Sequence, residues 1–245
     1  MSPWKRTRAI FTLARTMFRL VKDPGQLDAI FGFIEDLNDP EAIEPIRAHF
    51  ATLPRGDALQ RKPRLGRLDC GELARLPEGT LGHAFGTHMI ERGLDPNAIP
   101  SLKADEEWEY VLAHVYETHD IWHVVTGFDT DVPGELGLQA FNLAQFPGRV
   151  GLMLLAAGML NTLIFHPEER VERLDAIARG WRLGREAAPL LGIDWKRWWL
   201  RPLDEVRAEL LLADVDELVE RAEEPRHARV HLGEDEWRIA AGAGA

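Results

Sequence analysis

The sequence predicts an all-α protein: a single-domain multi-helix bundle with a buried apolar pocket. Three observations carry that expectation. Apolar residues return at three- and four-residue spacing in segment after segment. No strong period-two alternation and no internal repeat interrupts them. A length of 245 residues with 45% hydrophobic content is enough for one sizeable core. The helical domain is expected over residues 1–222. Residues 223–245 have mixed charge, few core residues and a Gly-Ala end, and read as a partly ordered tail.

Bulk properties narrow the function classes. A formal charge of −11 excludes general phosphate-backbone binding, so no nucleic-acid partner is expected. Cys70 is the only cysteine, so the chain can form no internal disulfide and no cysteine-based zinc site. The basic start at Lys5, Arg6 and Arg8 runs into an amphipathic rather than a continuously apolar segment, which is not a secretory signal. The longest apolar run, Val150 to Phe165, is interrupted by Asn161 and Thr162. It is too short to span a membrane and reads as a buried helix.

In chain order, residues 4–22 place Ile10, Leu13, Ala14, Met17, Phe18 and Val21 at helical spacing among several arginines. This is a basic amphipathic helix that suits either a core-facing edge or a membrane surface. Helices are expected over 25–36 and 40–52, the latter with Asp39 as cap and Pro40 in its first turn. Residues 53–68, rich in Pro, Gly and Arg, read as a surface connection. Thr80 is placed to cap a helix through His83, Phe85, Met89 and Ile90 that Gly93 ends. His83 and His88, five apart, fall on different faces, so a joint metal role is not expected. A long helix over 105–124 is packed by Trp108, Val111, Leu112, Val115 and Ile121. A further helix spans 135–145 and carries Gln139, Asn142 and Gln145 on an apolar element, where burial would demand partners. Beyond Pro147 come the apolar helix, a helix over 168–190 with Ile177 and Trp181, a tryptophan cluster at 195–199, and a helix over 203–212.

The 105–124 helix ends in the most informative stretch of the chain. His119 and His123 stand four apart and share a helical face, and Asp120 borders it. After Gly127, Pro133-Gly134 turns the chain and can return Glu135 over the same patch. Two imidazoles and two carboxylates are ligands for a divalent metal. The pattern differs from the His-Glu-x-x-His helix of zinc peptidases, because the carboxylate directly follows the first histidine and is a methylene shorter, so a protease is not expected. Gln139, Asn142 and Arg149 are candidate substrate-binding residues. Arg149 is placed by sequence to hold a carboxylate.

With these residues laid out, the chain resembles the coenzyme Q biosynthesis protein 4 family. That family's pattern is His-Asp-x-x-His followed by a glutamate some 11 residues on. His119, Asp120, His123 and Glu135 match it, as do 76–82, 137–145, Gly180-Trp181 with Gly184, and Asp194-Trp195, over roughly residues 10–212. The resemblance implies an all-helical protein that binds zinc or another divalent ion (iron, manganese, cobalt or magnesium). It also implies recognition of a polyprenylated ring precursor or other isoprenoid lipid, and association with membranes and with other quinone-pathway proteins. The implied reaction is loss of the ring carboxylate from a polyprenylated hydroxybenzoate, with hydroxylation at the same carbon. The alternative is a non-catalytic scaffold that presents lipid precursors to partner enzymes. A prenyl-phosphate hydrolase of the His-Asp type is a weaker third reading, since no second His-Asp set is evident. A homo-oligomer is expected. Without a Ser-rich, acid-poor transit segment, a bacterial cytoplasmic protein is expected, on the inner face of the membrane if peripheral.

Overall fold

Apolar residues at 3.6-residue spacing build nine α-helices among the described residues, and no strand occurs among them. The structure, a computed structural model, describes residues 19, 21, 43–98, 102–146 and 149–212. In order the helices are α1 (Ile43–Thr52), α2 (Ala58–Arg61), α3 (Cys70–Leu73), α4 (Leu81–Glu91), α5 (Glu107–Thr126), α6 (Val132–Gln145), α7 (Arg149–Phe165), α8 (Arg170–Glu186) and α9 (Leu203–Glu209). Short 3₁₀ turns at Pro167–Glu169 and Trp195–Trp198 join the last three. The helices expected over 4–22 and 25–36 lie outside the described residues, apart from residues 19 and 21, and so does the tail from 223. The chain is an all-α single domain.

The core forms around α5. Tyr110, Val111, Ile121, Trp122 and Val125 are buried on it against Phe85 and Met89 of α4, Phe141 of α6, and Leu190, Ile193 and Trp195. Its ends are satisfied locally. The Glu106 N–H donates to the Glu109 carboxylate at 3.0 Å, and Gly127 ends the helix at φ 69°, a left-handed conformation that glycine adopts without cost. Arg207 of α9 donates to the freed carbonyls of Val124 and Val125 at 3.1 and 3.2 Å.

α6 and α8 cross in close backbone contact. A Cβ at Gly180 would stand 1.9 Å from the Gly137 carbonyl oxygen, and one at Gly184 would stand 2.6 Å from that of Phe141. Gln145 secures the far end, donating to the Gly184 carbonyl at 2.7 Å and accepting from the Leu190 N–H at 3.0 Å. This residue, expected to need a partner if buried, is buried and structurally paired.

Three local expectations are corrected. Residues 53–68 are not merely a surface connection: Ala58, Leu59 and Leu65 are buried, and Arg64 pairs with Glu117 of α5. Glu135 does not begin its helix, expected over 135–145, because α6 starts three residues earlier, at Val132. Asp131 caps it, accepting from the Gly134 N–H at 2.8 Å, and Pro133 sits in the first turn, where its missing N–H is harmless. α7 is not a buried helix. Among its residues whose burial is described, only Met153, Ala157, Gly158, Asn161 and Thr162 are buried, while Leu163 is 73% exposed, Leu152 60% and Phe165 50%. Its small residues let α6 approach: a Cβ at Gly158 would meet the Leu136 side chain at 2.3 Å. The tryptophan cluster is structural, with Trp195 in the core and Trp198 flanked by Arg55 and Arg201.

Candidate metal centre

The four residues singled out by spacing come to one place, with distinct roles in the geometry. On α5, Ile121, Trp122 and Val125 take the core side, which leaves His119 and His123 on the face toward the start of α6, their ring centroids 4.8 Å apart. Glu135 reaches both from the first turn of α6: its carboxylate oxygens stand 3.6 Å from His119 Nε2 and 3.2 Å from His123 Nε2. Ligand atoms of His119, His123 and Glu135 all lie within 4.8 Å of one another. Asp120 is outside that trio; its carboxylate contacts His119 Nδ1 at 3.2 Å.

The hydrogen bonds fix which nitrogen is free. His123 Nδ1 lies 3.0 Å from the Phe128 carbonyl oxygen, which can only accept, so Nδ1 carries the proton and Nε2 presents a lone pair. That Nε2 is buried, makes no hydrogen bond, and faces a carboxylate oxygen. Two lone pairs at such a distance repel unless a cation or a proton stands between them. Asp120 holds Nδ1 of His119 in the same sense, as carboxylates behind metal-bound histidines do. With metal–ligand bonds of roughly 2.0–2.2 Å, tetrahedral ligand atoms stand roughly 3.4 Å apart. The 3.2 and 3.6 Å separations therefore fit a divalent ion.

Without a metal, a proton answers the same electrostatic demand. Burial opposes charge on His119, but the carboxylates of Asp120 and Glu135 outweigh it and raise its pKa to about 10. Burial also works to raise Asp120 and Glu135, yet the histidines win and both carboxyls are held below their ordinary values. His114, on the same helix, is a structural contrast. Its Nδ1 pairs with the Pro63 carbonyl at 3.2 Å and its Nε2 accepts from the Gly192 N–H at 3.1 Å, so no nitrogen is left for a ligand. Burial lowers its pKa to about 4.

Of the candidate substrate residues, Gln139 is half-buried on α6, and Asn142, also half-buried, has its Oδ1 buried without a hydrogen bond. Arg149 opens α7, but its side chain lies outside the described residues. Sequence reasoning passed over one contributor. The Phe128 carbonyl has no side-chain signature, although the glycine before it marks the turn that presents it. His88, set aside as a metal partner of His83 and expected at the surface or lining a pocket, does line a cavity, and its ring lies nearly parallel to that of His123, 6.3 Å away. His83 bonds instead to the Ala74 carbonyl at 2.9 Å. A second group, His166, Glu168 and Glu169, is more exposed, and Glu169 is engaged by Arg173.

Comparison with known proteins places the chain. A mitochondrial ubiquinone biosynthesis protein coq4 of Talaromyces stipitatus is 33% identical over 201 residues, spanning 79% of this chain and 68% of the relative. The protein of that name from Aspergillus fumigatus is 32% identical, over 77% of this chain and 67% of its own. The COQ4 homolog of Aedes aegypti is 28% identical, over 83% and 74%. A crystal structure of a Nostoc punctiforme protein assigned to ubiquinone biosynthesis superposes with a TM-score of 0.74 at 29% identity, covering 84% of this chain and 98% of that one. The expectation of a bacterial cytoplasmic protein is corrected by the fungal and insect relatives, which are named as mitochondrial. That expectation rested on the residue types of the N-terminal segment and on the single cysteine, which do not fix a compartment. The family model for coenzyme Q (ubiquinone) biosynthesis protein Coq4 matches residues 2–216, and the chain belongs to that family.

Proposed function

We propose that His119, His123 and Glu135 hold one divalent ion, zinc foremost, with Asp120 orienting His119. We further propose that the site serves oxidative decarboxylation, with hydroxylation of the same carbon, of a polyprenylated hydroxybenzoate in ubiquinone biosynthesis. The observation that carries the metal reading is His123: one nitrogen is committed to the Phe128 carbonyl and the other is buried, unbonded and aimed at a carboxylate. A divalent ion there supplies Lewis-acid charge that polarises a phenolic oxygen of the ring. A trio of protein ligands, rather than a closed shell of cysteines, leaves a position open for substrate. His119 holds a proton at high pH when no ion is present, so ion and proton exchange at Nε2. Glu135 stays ionised and supplies charge to both histidines. The balance is ring acid, water and dioxygen giving ring hydroxyl, carbon dioxide and hydrogen peroxide: the bond from ring carbon to carboxyl breaks, a bond from that carbon to oxygen forms, and dioxygen takes up the two electrons.

The test is to supply metal-loaded protein with a prenylated 4-hydroxybenzoate in air and follow product mass. Replacement of the ring carboxyl by hydroxyl supports the reading. Unchanged substrate, together with quinone synthesis restored in cells by His119→Ala, supports the scaffold alternative.

One observation favours a lipid or partner surface in either case. Leu152, Leu160, Leu163 and Ile164 share one side of α7 by helical spacing and are exposed, as are Phe165, Val171 and Leu174 after them, and exposed apolar side chains grouped in this way mark interaction sites. No helix among the described residues is long and apolar enough to cross a membrane. The face therefore suits contact with a membrane surface, an isoprenoid tail or a quinone-pathway protein.

A further inference from the structure

We infer that the cavity between α4 and the turn joining α5 to α6 seats the aromatic headgroup of the substrate, with the imidazole of His88 positioning it. This inference rests on the reading that the substrate is a hydroxylated aromatic acid. The cavity measures about 210 Å³ and is lined by Ala84, His88, Arg92, His123, Phe128 and Asp129 among others. It thus adjoins the metal set through His123, the ligand whose side chain is fully buried.

Size selects what can enter. Pockets that enclose a drug-sized ligand measure roughly 300–1,000 Å³; this cleft, smaller and open on one side, has room to cover a single substituted ring while an isoprenoid tail runs out through the open side. Two near-parallel imidazoles, His88 and His123, give it flat aromatic walls.

His88 is the residue with unmet chemistry. Its ring makes no hydrogen bond to any described residue, and its Nε2 is buried without a partner. Rotation about the bond from Cβ to the ring can present either nitrogen to the cavity, since such torsions are broad and two-fold. A phenolic hydroxyl both donates and accepts, so it satisfies the imidazole in either tautomer. Arg92, one turn further along α4, uses Nε and Nη2 on Asp129 at 2.9 and 2.8 Å, which holds the rim of the cavity in place.

The experiment titrates 4-hydroxybenzoate and, separately, benzoate into the full chain by calorimetry, for the wild type, His88→Ala and His88→Asn, with zinc content measured on the same samples. The wild type is expected to prefer the hydroxylated ring. His88→Ala should weaken 4-hydroxybenzoate about threefold to tenfold, the worth of one hydrogen bond, and leave benzoate unchanged. His88→Asn, which restores a donor and an acceptor, should recover part of the loss. If His88→Ala does not fold, His88→Leu takes its place with the same expectation, and a folded variant that keeps the wild-type preference for the hydroxylated ring overturns the proposal. So does absence of wild-type binding at millimolar ligand, or equal loss for both ligands. His88-dependent binding in protein that holds no zinc would defeat the metal reading and leave the headgroup site standing.

Discussion

α5 and α7 are both long helices packed on α6, and they use their apolar residues in opposite ways. α5 is the more polar in sequence, with four histidine, aspartate or glutamate side chains in the span from Glu117 to Asp120 and His123, yet it is the buried centre of the molecule. α7 is apolar nearly all round and carries no acidic residue, yet half of its circumference faces outward. Hydrophobic content therefore does not rank burial here. What decides it is how many neighbours a helix has. Among the described residues α5 is enclosed by α1, α2, α4, α6 and α9, whereas α7 meets chiefly α6 and the turn that follows it, with Asn161 also donating to the Val21 carbonyl at 2.8 Å. Many of the polar side chains on α5 are paired, His114, Glu117 and Thr118 among them, whereas Tyr110 Oη, Trp122 Nε1 and His123 Nε2 are buried without a hydrogen bond, and of these only His123 Nε2 faces a carboxylate.

The sharpest way to break this contrast is to truncate a large side chain on each helix. Trp122→Ala, on the buried face of α5, should cost about 3–5 kcal/mol of folding stability, measured by urea denaturation. Gly180→Ala comes next, at about 1–3 kcal/mol, because its methyl group must push the α8 backbone away from the Gly137 carbonyl.

A pH series sharpens the α5 side. In metal-free protein His119 has a folded pKa of about 10 against an ordinary value of 6.5. Its contribution is fully present below pH 6.5 and is lost as pH rises through 10. Asp120 and Glu135, held low, contribute above their ordinary values of 3.8 and 4.5 and lose that contribution on acidification. The thermal midpoint of chelator-treated protein should thus fall between pH 6.5 and 10, and zinc should flatten the fall by replacing the proton. A midpoint that does not change over that range would show His119 to be uncharged.

The smallest effect belongs to α7. Leu163→Ser should change stability by no more than about 0.5 kcal/mol, while lowering adsorption of the protein to lipid vesicles in a sedimentation assay. A loss as large as that for Trp122→Ala would mean that α7 is covered by a neighbour, and the contrast would collapse.

The contrast also explains what was legible in the sequence. Helix positions came from periodicity, and the cap at Thr80 and the stops at Gly93 and Gly127 came from the special backbone those residues permit. The metal candidates were legible because four-residue spacing on a helix is a statement about direction. Burial was less so. Val150–Phe165 is apolar, and nothing in its composition says that only one side will find a neighbour. Glu135 was found, but its support was misplaced, because Pro133-Gly134 reads as a turn although proline is equally at home in a first helical turn. The roles of the Phe128 carbonyl and of His88 depend on contacts between distant elements, which spacing along one helix cannot reveal.

The most direct test of the metal centre is zinc content after chelator dialysis and reloading, compared across the wild type, Asp120→Asn and the double variant His119→Ala, His123→Ala. The account predicts one zinc per wild-type chain, none in the double variant, and zinc retained in Asp120→Asn with affinity lowered roughly tenfold to a hundredfold, as for the loss of an orienting carboxylate. Full stoichiometric zinc in a folded double variant would contradict it.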